Sequence, residues 1–224
     1  MVRKDKITYL ITHFNSSGID YPYPDETFHE CMIKTILSQN TSDLNRDRAY
    51  ESLSAKCSDI YSIYNTSTND IEKIIKVGGL AHQKSLSIKN FADWCMENDD
   101  ICKNMPKMKN EDIISSLISI KGVGLKTICI YLSFCLKRDI IPIDVHVNRI
   151  FTRIGVVNKK MNADKLFSYV NPYVPIGRHY YLHMNLIDFG RNVCKAKSPQ
   201  CTLCELNTHC DFYNKKNYWL EEVN

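Results

Sequence analysis

The sequence has little of what marks membrane, secreted or sheet-rich proteins. No apolar run approaches the roughly 20 residues of a transmembrane helix. The first residues, MVRKDKITYLITHFN, are basic, but their apolar run is too short for a secretion signal and no small-residue cleavage site follows. Alternating apolar and polar residues, the pattern of half-buried strands, are scarce, as are low-complexity linkers and repeats. We therefore expect a cytoplasmic globular protein without membrane spans or a sheet.

Charge and composition are those of an ordinary globular protein with one basic region. The 224 residues are 44% hydrophobic and 24% charged, which excludes a disordered chain. The net charge is only +4, but residues 121–160 contain eight Lys or Arg against two acidic residues. Such an excess attracts a polyanion such as nucleic acid, although a solvated protein face has the same composition. Charge alone leaves both interpretations open.

Apolar residues recur at helical spacing along most of the chain, which predicts an all-α fold. Ser42 or Asp43 is a suitable N-cap for one helix and Asp144 for another, while the Gly78-Gly79 pair ends a third. The predicted helices cover residues 28–39, 43–56, 69–80, 82–98, 111–120, a segment beginning near Lys126, 145–155, 162–171 and 177–193. The run IIPI at 140–143 has the composition of a strand, but helices surround it.

The ten cysteines fall into two groups. Since the cytosol keeps thiols reduced, disulfides are not expected. Six cysteines lie among apolar neighbours and are predicted to be small core residues: Cys31, Cys57, Cys95, Cys102, Cys129 and Cys135. The other four have the spacing C-x6-C-x2-C-x5-C and can converge on one metal centre: Cys194, Cys201, Cys204 and Cys210. Structural zinc sites usually contain two pairs of ligands, each separated by two to four residues, and only Cys201 and Cys204 form such a pair here. The spacing therefore favours an iron–sulfur cluster but leaves zinc open. The histidines show no metal-ligand spacing.

The segment ISIKGVGLKT predicts a helix, a tight turn and a second helix. Glycines at 122 and 124 allow close backbone approach, and the amides of the second helix favour an anion such as a phosphate. A plain inter-helix turn has the same pattern. Lys126 lies in the first turn of that helix, where the helix field and partial burial would favour the neutral, nucleophilic amine; otherwise it is a surface charge. Asp144 is either only an N-cap or a carboxylate that stabilises positive charge on a sugar.

Three motifs together resemble one family. KGVGLKT, the aspartate of IDVHVNRI eighteen residues after Lys126, and the cysteine spacing resemble endonuclease III, of the helix–hairpin–helix superfamily of DNA glycosylases. The similarity runs from FHECMIKTILSQNTSD through VGGLAHQKS to Cys210, nearly the whole chain. It implies two helical domains: a six-helix barrel at 29–137 that contains the hairpin, and a domain of 1–28 and 138–224 that carries a [4Fe-4S] cluster on the four cysteines.

The resemblance also implies an activity. A bifunctional DNA glycosylase and abasic-site lyase would remove oxidised pyrimidines from double-stranded DNA and cleave the strand by β-elimination. Lys126 falls on the catalytic lysine and Asp144 on the catalytic aspartate, while Gly122, Val123 and Gly124 fall on the hairpin amides that hold a phosphate. The protein would act as a monomer in a prokaryotic cytoplasm, in association with the nucleoid.

Further positions are implied to contact DNA. Leu80 matches the apolar wedge that enters the base stack, and Asn40 matches the side chain that fills the vacated space. Gln39, Lys121 and Lys197 are the other implied contacts.

Two departures from the family pattern affect the choice of lesion. The family often has Gln where Asn40 stands, and it commonly has His where this chain has Asp188 and Phe189 before Gly190. The second feature is closer to mismatch-specific glycosylases, which act on T·G or U·G pairs but often lack the lysine. A mismatch glycosylase is therefore one alternative, and a non-catalytic iron–sulfur DNA-binding module is another.

Overall fold

The computed structural model describes residues 3–15, 21–157 and 161–214. The all-α prediction is confirmed, because every regular element within these ranges is helical. The α-helices are α1 (Lys4–Asn15), α2 (Phe28–Leu37), α3 (Asp43–Ser54), α4 (Ile60–Asn65), α5 (Thr68–Ile74), α6 (Ala81–Glu97), α7 (Asp99–Asn104), α8 (Asn110–Leu117), α9 (Leu125–Ile130), α10 (Val145–Ile154), α11 (Ala163–Val170) and α12 (His179–Asn192). Among the helices described, none is long and apolar enough to cross a membrane.

The chain divides into two compact units. The central unit is Pro24–Leu136, and the terminal unit combines Met1–Tyr23 with Lys137–Asn224. The domain predicted from the resemblance, 29–137, begins slightly later and ends one residue further on than the central unit. Its barrel arrangement stays a prediction.

The central unit is organised around α6. This helix packs against α2, α4 and α5. Four of its residues at helical spacing, Ile88, Phe91, Ala92 and Cys95, are buried and form the apolar stripe that fixes its orientation. Helix α2 begins at a capping box, in which Thr27 accepts a hydrogen bond from the backbone amide of Glu30 and the Glu30 side chain accepts one from the Thr27 amide.

Helix ends in the central unit differ from the predicted ones where tertiary contacts intervene. The predicted helix 69–80 is divided into α5 and a short 3-10 helix, Lys76–Gly78. Ile75 leaves helical geometry between them, with φ −91° and ψ 11°. The segment 99–110 lies between two predicted helices but is itself partly helical, since it contains α7 and a 3-10 helix, Met105–Lys107. Helix α9 continues as a π-helical turn, Tyr131–Cys135.

The terminal unit has its own core, formed by α1, α10, α11 and α12. Helix α10 contributes Val147, Ile150, Phe151 and Ile154, a stripe at i, i+3, i+4 and i+7. Helices α10 and α12 cross closely at Gly190, where an added Cβ would lie 2.5 Å from Nδ1 of His146. The IIPI run that resembled a strand is a buried, non-helical connection before α10.

Candidate functional site

The turn between α8 and α9 requires glycine at residue 122. Gly122 has φ +95°, in the region that L-residues rarely adopt. A Cβ at this position would lie 2.0 Å from Oγ and 2.6 Å from Cβ of Ser87 on α6. The side-chain amide of Asn90, one turn further along α6, donates to the carbonyl of Lys121 at 3.0 Å. Helix α6 therefore holds the hairpin directly.

The hairpin amides are not equivalent. The Val123 amide donates to the Ile120 carbonyl at 3.0 Å, and the Val123 side chain is only 4% exposed. This amide already has a partner within the turn, and the phosphate contact predicted for it stays a prediction. Gly124 is the N-cap of α9, and apart from its chain neighbours no heavy atom of the described residues lies within 4 Å of the position that its Cβ would occupy. The space in front of Gly124 and the unpaired first-turn amides that follow it is open to an anion.

Lys126 is the second residue of α9 and is exposed. Of the two interpretations of Lys126, a partly buried amine or a surface charge, the free chain shows the exposed position. The next three residues, Thr127, Ile128 and Cys129, are buried, so the helix is anchored while the Lys126 side chain points outward. No ion pair or side-chain hydrogen bond is recorded for this lysine within the described ranges, which leaves its amine accessible to a ligand.

Asp144 caps α10 through one carboxylate oxygen. Oδ1 accepts hydrogen bonds from the amides of His146 at 2.9 Å and Val147 at 2.8 Å. No hydrogen bond to Oδ2 is recorded in the described part of the chain. The N-cap role is thus observed, and the second oxygen remains available to face positive charge.

His146 follows the cap and is a packed helix residue. Its Nδ1 lies 2.9 Å from Nη2 of Arg149, a donor, so this nitrogen is the acceptor. Burial lowers the pKa of His146 below its ordinary 6.5, and the charges of Arg149 and Arg191 lower it further, while Asp144 opposes them. Burial and the two arginines therefore favour the neutral form of His146.

Two exposed turns of the central unit carry the residues predicted to enter DNA. Gln39 and Asn40 are exposed in the turn after α2, and Asn40 has φ +51°. Leu80 precedes α6 with φ +48° and is 49% exposed. An exposed leucine held in the left-handed region is unusual, because the conformation is unfavourable for a branched apolar residue. Lys84, to which no sequence motif points, links these two turns.

The four spaced cysteines line one cavity in the terminal unit. Two sulfurs on one zinc ion, each at about 2.3 Å, lie within about 4.6 Å of each other. In the described part of the chain, no three sulfurs of this quartet all lie within 4.8 Å of one another. The four thiols nevertheless face one cavity, where they could hold a shared metal centre.

Arginines of α10 hold the cysteine loop against the core. Arg149 Nε donates to the Cys194 carbonyl at 2.9 Å, and Arg153 Nη1 lies 3.4 Å from the Cys194 sulfur and donates to the Lys195 carbonyl at 2.7 Å. Lys197 is exposed on this loop, and Ser198 next to it has φ +49°. The loop is thus anchored on one side and presents a positive charge on the other.

The six remaining cysteines lie in the central unit, and the structure brings some of them together. Four are buried as predicted, whereas Cys102 and Cys135 are partly exposed. Donor atoms of His29, Cys95 and Cys102 lie within 4.8 Å of one another, as do those of Glu26, Cys31 and Cys135. Neither group was visible from chain spacing. Each has three donors, one fewer than a structural zinc site requires.

Comparison with known proteins gives the family. The sequence profile described as HhH-GPD superfamily base excision DNA repair protein matches residues 33–173. Endonuclease III of Sulfolobus acidocaldarius is 30% identical over 191 residues, which covers 83% of this chain and 83% of that protein. The chain belongs to the HhH-GPD superfamily, and its relatives place it with endonuclease III.

Solved structures of this superfamily share the fold. A trapped covalent intermediate of endonuclease III with DNA matches with a TM-score of 0.84 at 22% identity, covering 97% of this chain and 100% of that one. A thermostable thymine-DNA glycosylase matches with a TM-score of 0.76 at 21% identity, covering 95% and 96% of the two chains. At these identities the likeness establishes the HhH-GPD fold and leaves the lesion to be argued from the site.

Proposed function

We propose that this member of the HhH-GPD superfamily is a bifunctional DNA glycosylase and abasic-site lyase that removes oxidised pyrimidines from duplex DNA. The observation that carries the proposal is Lys126, an exposed amine in the first turn of α9. It directly follows a glycine turn whose open side suits a backbone phosphate. A glycosylase that activates only water has no use for an amine at this position.

Lys126 acts as the nucleophile. Its neutral Nζ attacks C1′ of the deoxyribose, and the bond from C1′ to the base breaks so that the base leaves with the electron pair. Opening of the sugar ring produces a Schiff base between Nζ and C1′. Loss of a C2′ proton then expels the 3′ phosphate oxygen by β-elimination, and water releases the lysine. A reference lysine amine is neutral in only about one molecule in a few thousand at pH 7. A proton acceptor must therefore assist.

Asp144 supplies the carboxylate for this reaction. The α10 amides hold Oδ1 and thereby fix the carboxylate, and Oδ2 is the oxygen proposed to face the sugar. As the bond to the base breaks, positive charge develops on the sugar, and a fixed negative charge stabilises it. The same oxygen is suited to accept the proton that Lys126 loses.

The damaged base must leave the stack before this chemistry is possible, at a cost of a few kcal/mol. We propose that Leu80 enters the stack and that Asn40, with Gln39, occupies the vacated space. Lys121 and the amides of Gly122 and Gly124 would contact the phosphate backbone. Lys197 on the cysteine loop would add a further phosphate contact.

A [4Fe-4S] cluster is the cofactor that best suits the cysteine quartet. Cys194, Cys201, Cys204 and Cys210 would hold it. When bound, it cross-links the loop, and the proposed reaction needs no electron transfer from it. The Arg149 and Arg153 contacts already orient the same loop. Visible charge-transfer absorption in purified protein would distinguish the cluster from zinc, which is colourless.

A second candidate is a mismatch glycosylase acting on T·G or U·G pairs. Asp188 and Phe189 before Gly190 favour it. Asp188 is exposed and accepts a hydrogen bond from Asn192 at 2.8 Å. Duplexes containing thymine glycol, dihydrouracil, T·G, U·G or an abasic site would rank the two activities, and the fastest excision identifies the lesion.

Borohydride trapping tests the chemistry. The reagent reduces the Schiff base to a stable secondary amine, so the wild-type protein should become covalently attached to duplex DNA with an abasic site. Lys126→Gln should give no adduct. Lys56→Gln is the matched control, because Lys56 is an exposed lysine that follows the C-terminal end of α3, away from the Asn40 turn. Wild-type protein that binds abasic DNA but yields no adduct would support the non-catalytic module instead.

A further inference from the structure

Helix α6 contains a buried lysine that the reaction does not use. Lys84 is 1% exposed, and among the described residues no carboxylate forms an ion pair with it. Burial without a counter-ion is unfavourable for an ammonium and lowers the pKa of Lys84. A group retained at this cost is expected to make specific contacts.

Those contacts are two backbone carbonyls. Nζ of Lys84 donates to the Leu37 carbonyl at 2.7 Å and to the Gly78 carbonyl at 2.8 Å. Leu37 is the last residue of α2, and Gly78 is the last residue of the 3-10 helix before α6. Carbonyls at helix C-terminal ends lack intrahelical donors and carry the negative end of the helix dipole, so both suit a cation.

Each carbonyl lies at the base of an exposed turn. Asn40 follows Leu37 by three residues, and Leu80 follows Gly78 by two. Asn40 and Leu80 are two of the four non-glycine residues with positive φ in the described part of the chain. Such conformations persist only where the surrounding structure holds them. Gly78 also packs tightly against Ala49, since a Cβ added to Gly78 would lie 3.2 Å from Cβ of Ala49.

We propose that Lys84 is a positioning residue that fixes the spacing of the Asn40 and Leu80 turns, so that both side chains enter the base stack together. This inference rests on the proposed function in that these two residues enter DNA. Lys84 itself is too deeply buried to touch DNA. Its N–H donors allow one group to hold both turns, which an aliphatic side chain of similar length cannot do.

Lys84→Met tests this role, because methionine retains most of the volume but leaves both carbonyls without their donor. The matched control is Lys89→Met on the same helix. Lys89 also donates to a backbone carbonyl, that of Tyr64, and pairs with Asp93 at 3.2 Å, but it contacts neither turn. Circular dichroism and the visible absorption of the purified protein report whether each variant is folded.

The experiment measures insertion of protein side chains into the base stack rather than base excision. A duplex carries a stable abasic analogue with 2-aminopurine opposite it, and the fluorescence rise on binding reports disruption of the stack. Lys84→Met should lose most of the rise and weaken duplex binding by about tenfold or more, because the insertion-competent arrangement becomes a minor state. Lys89→Met should resemble the wild type. Borohydride trapping on single-stranded abasic DNA, which needs no insertion, should be unchanged in both variants.

A double-mutant cycle decides whether Lys84 acts through the turn. In a Leu80→Ala background, Lys84→Met should cause a smaller further loss of fluorescence or affinity, because only the Asn40 side chain is left to be misplaced. Equal losses in both backgrounds, or wild-type fluorescence for Lys84→Met, would overturn the proposal. If Lys84→Met does not fold, Lys84→Gln replaces it. Glutamine keeps an amide donor but is one bond shorter and cannot span both carbonyls, so the same losses are expected and wild-type behaviour overturns the inference.

The same measurements separate this inference from the proposed function. Wild-type protein that disrupts the stack but traps no adduct would refute the lyase chemistry, while the Lys84 comparison would still decide the positioning role. Wild-type protein that traps an adduct without disrupting the stack would refute the insertion of Leu80 and Asn40, and the positioning role with it.

Discussion

Alanine at Gly122 should damage both the stability of the central unit and DNA binding. The backbone there has φ +95°, and a new methyl group would lie 2.6 Å from Cβ and 3.2 Å from Cα of Ser87. Holding a non-glycine residue in this conformation costs about 1–3 kcal/mol. The overlap with α6 adds about 1–3 kcal/mol. We therefore expect a loss of about 2–6 kcal/mol, unless the hairpin moves away from α6.

The matched substitution is Gly124→Ala. Gly124 has φ −103°, which any residue adopts, and apart from its chain neighbours no heavy atom of the described residues lies within 4 Å of its new Cβ. Its effect on unfolding should therefore stay within about 0.5 kcal/mol. The methyl group would nevertheless point into the space proposed for a phosphate, so DNA affinity should fall without loss of stability. Gly122→Ala should therefore lower both stability and DNA affinity, whereas Gly124→Ala should lower only DNA affinity.

Urea unfolding followed by tryptophan fluorescence measures the first quantity. In a Trp219→Phe background the remaining tryptophan is Trp94 on α6, within the central unit. With a slope of about 2 kcal/mol per M, a loss of about 4 kcal/mol lowers the midpoint by about 2 M. In a Ser87→Gly background the cost of Gly122→Ala should shrink because the overlap is relieved. An unchanged midpoint for Gly122→Ala, or an equal loss for Gly124→Ala, would refute the reasoning.

Two further predictions concern Asp144 and His146. Asp144→Asn should retain the N-cap and the stability but lose base excision, whereas Asp144→Ala should lose excision and about 1 kcal/mol of stability. Urea unfolding measures the stability of each variant, and single-turnover kinetics measure excision. An active Asp144→Asn would contradict the proposed role of the charge. Since the pKa of His146 is lowered from 6.5 on folding, mainly by burial, its contribution to stability is complete above 6.5 and is lost as the pH falls below that value. In His146→Gln the urea midpoint should therefore fall less steeply than in the wild type as the pH drops below 6.5. A fall as steep as that of the wild type would show that other groups cause the loss of stability.

Much of the fold follows from local patterns. Helix α10 combines an N-cap at Asp144 with apolar residues every three or four positions, and its predicted and observed starts coincide at Val145. The end of α5 is a case that local sequence patterns do not predict. A continuous helix was predicted to Leu80, but the chain turns at Ile75, and the Gly78 carbonyl is bound by Lys84. That interaction has no periodic signal.

Residue spacing along the chain was enough to predict the helical periods, the glycine turn before Lys126, the cap at Asp144 and the four spaced cysteines. These features need only neighbours within a few residues, and residue type and interval therefore encode them. Only the tertiary structure showed that Ser87 requires a glycine at 122, that Lys126 is exposed, and that Lys84 reaches a carbonyl 47 residues away. Contacts of that range arise when helices pack, because packing brings together side chains whose separation along the chain carries no pattern.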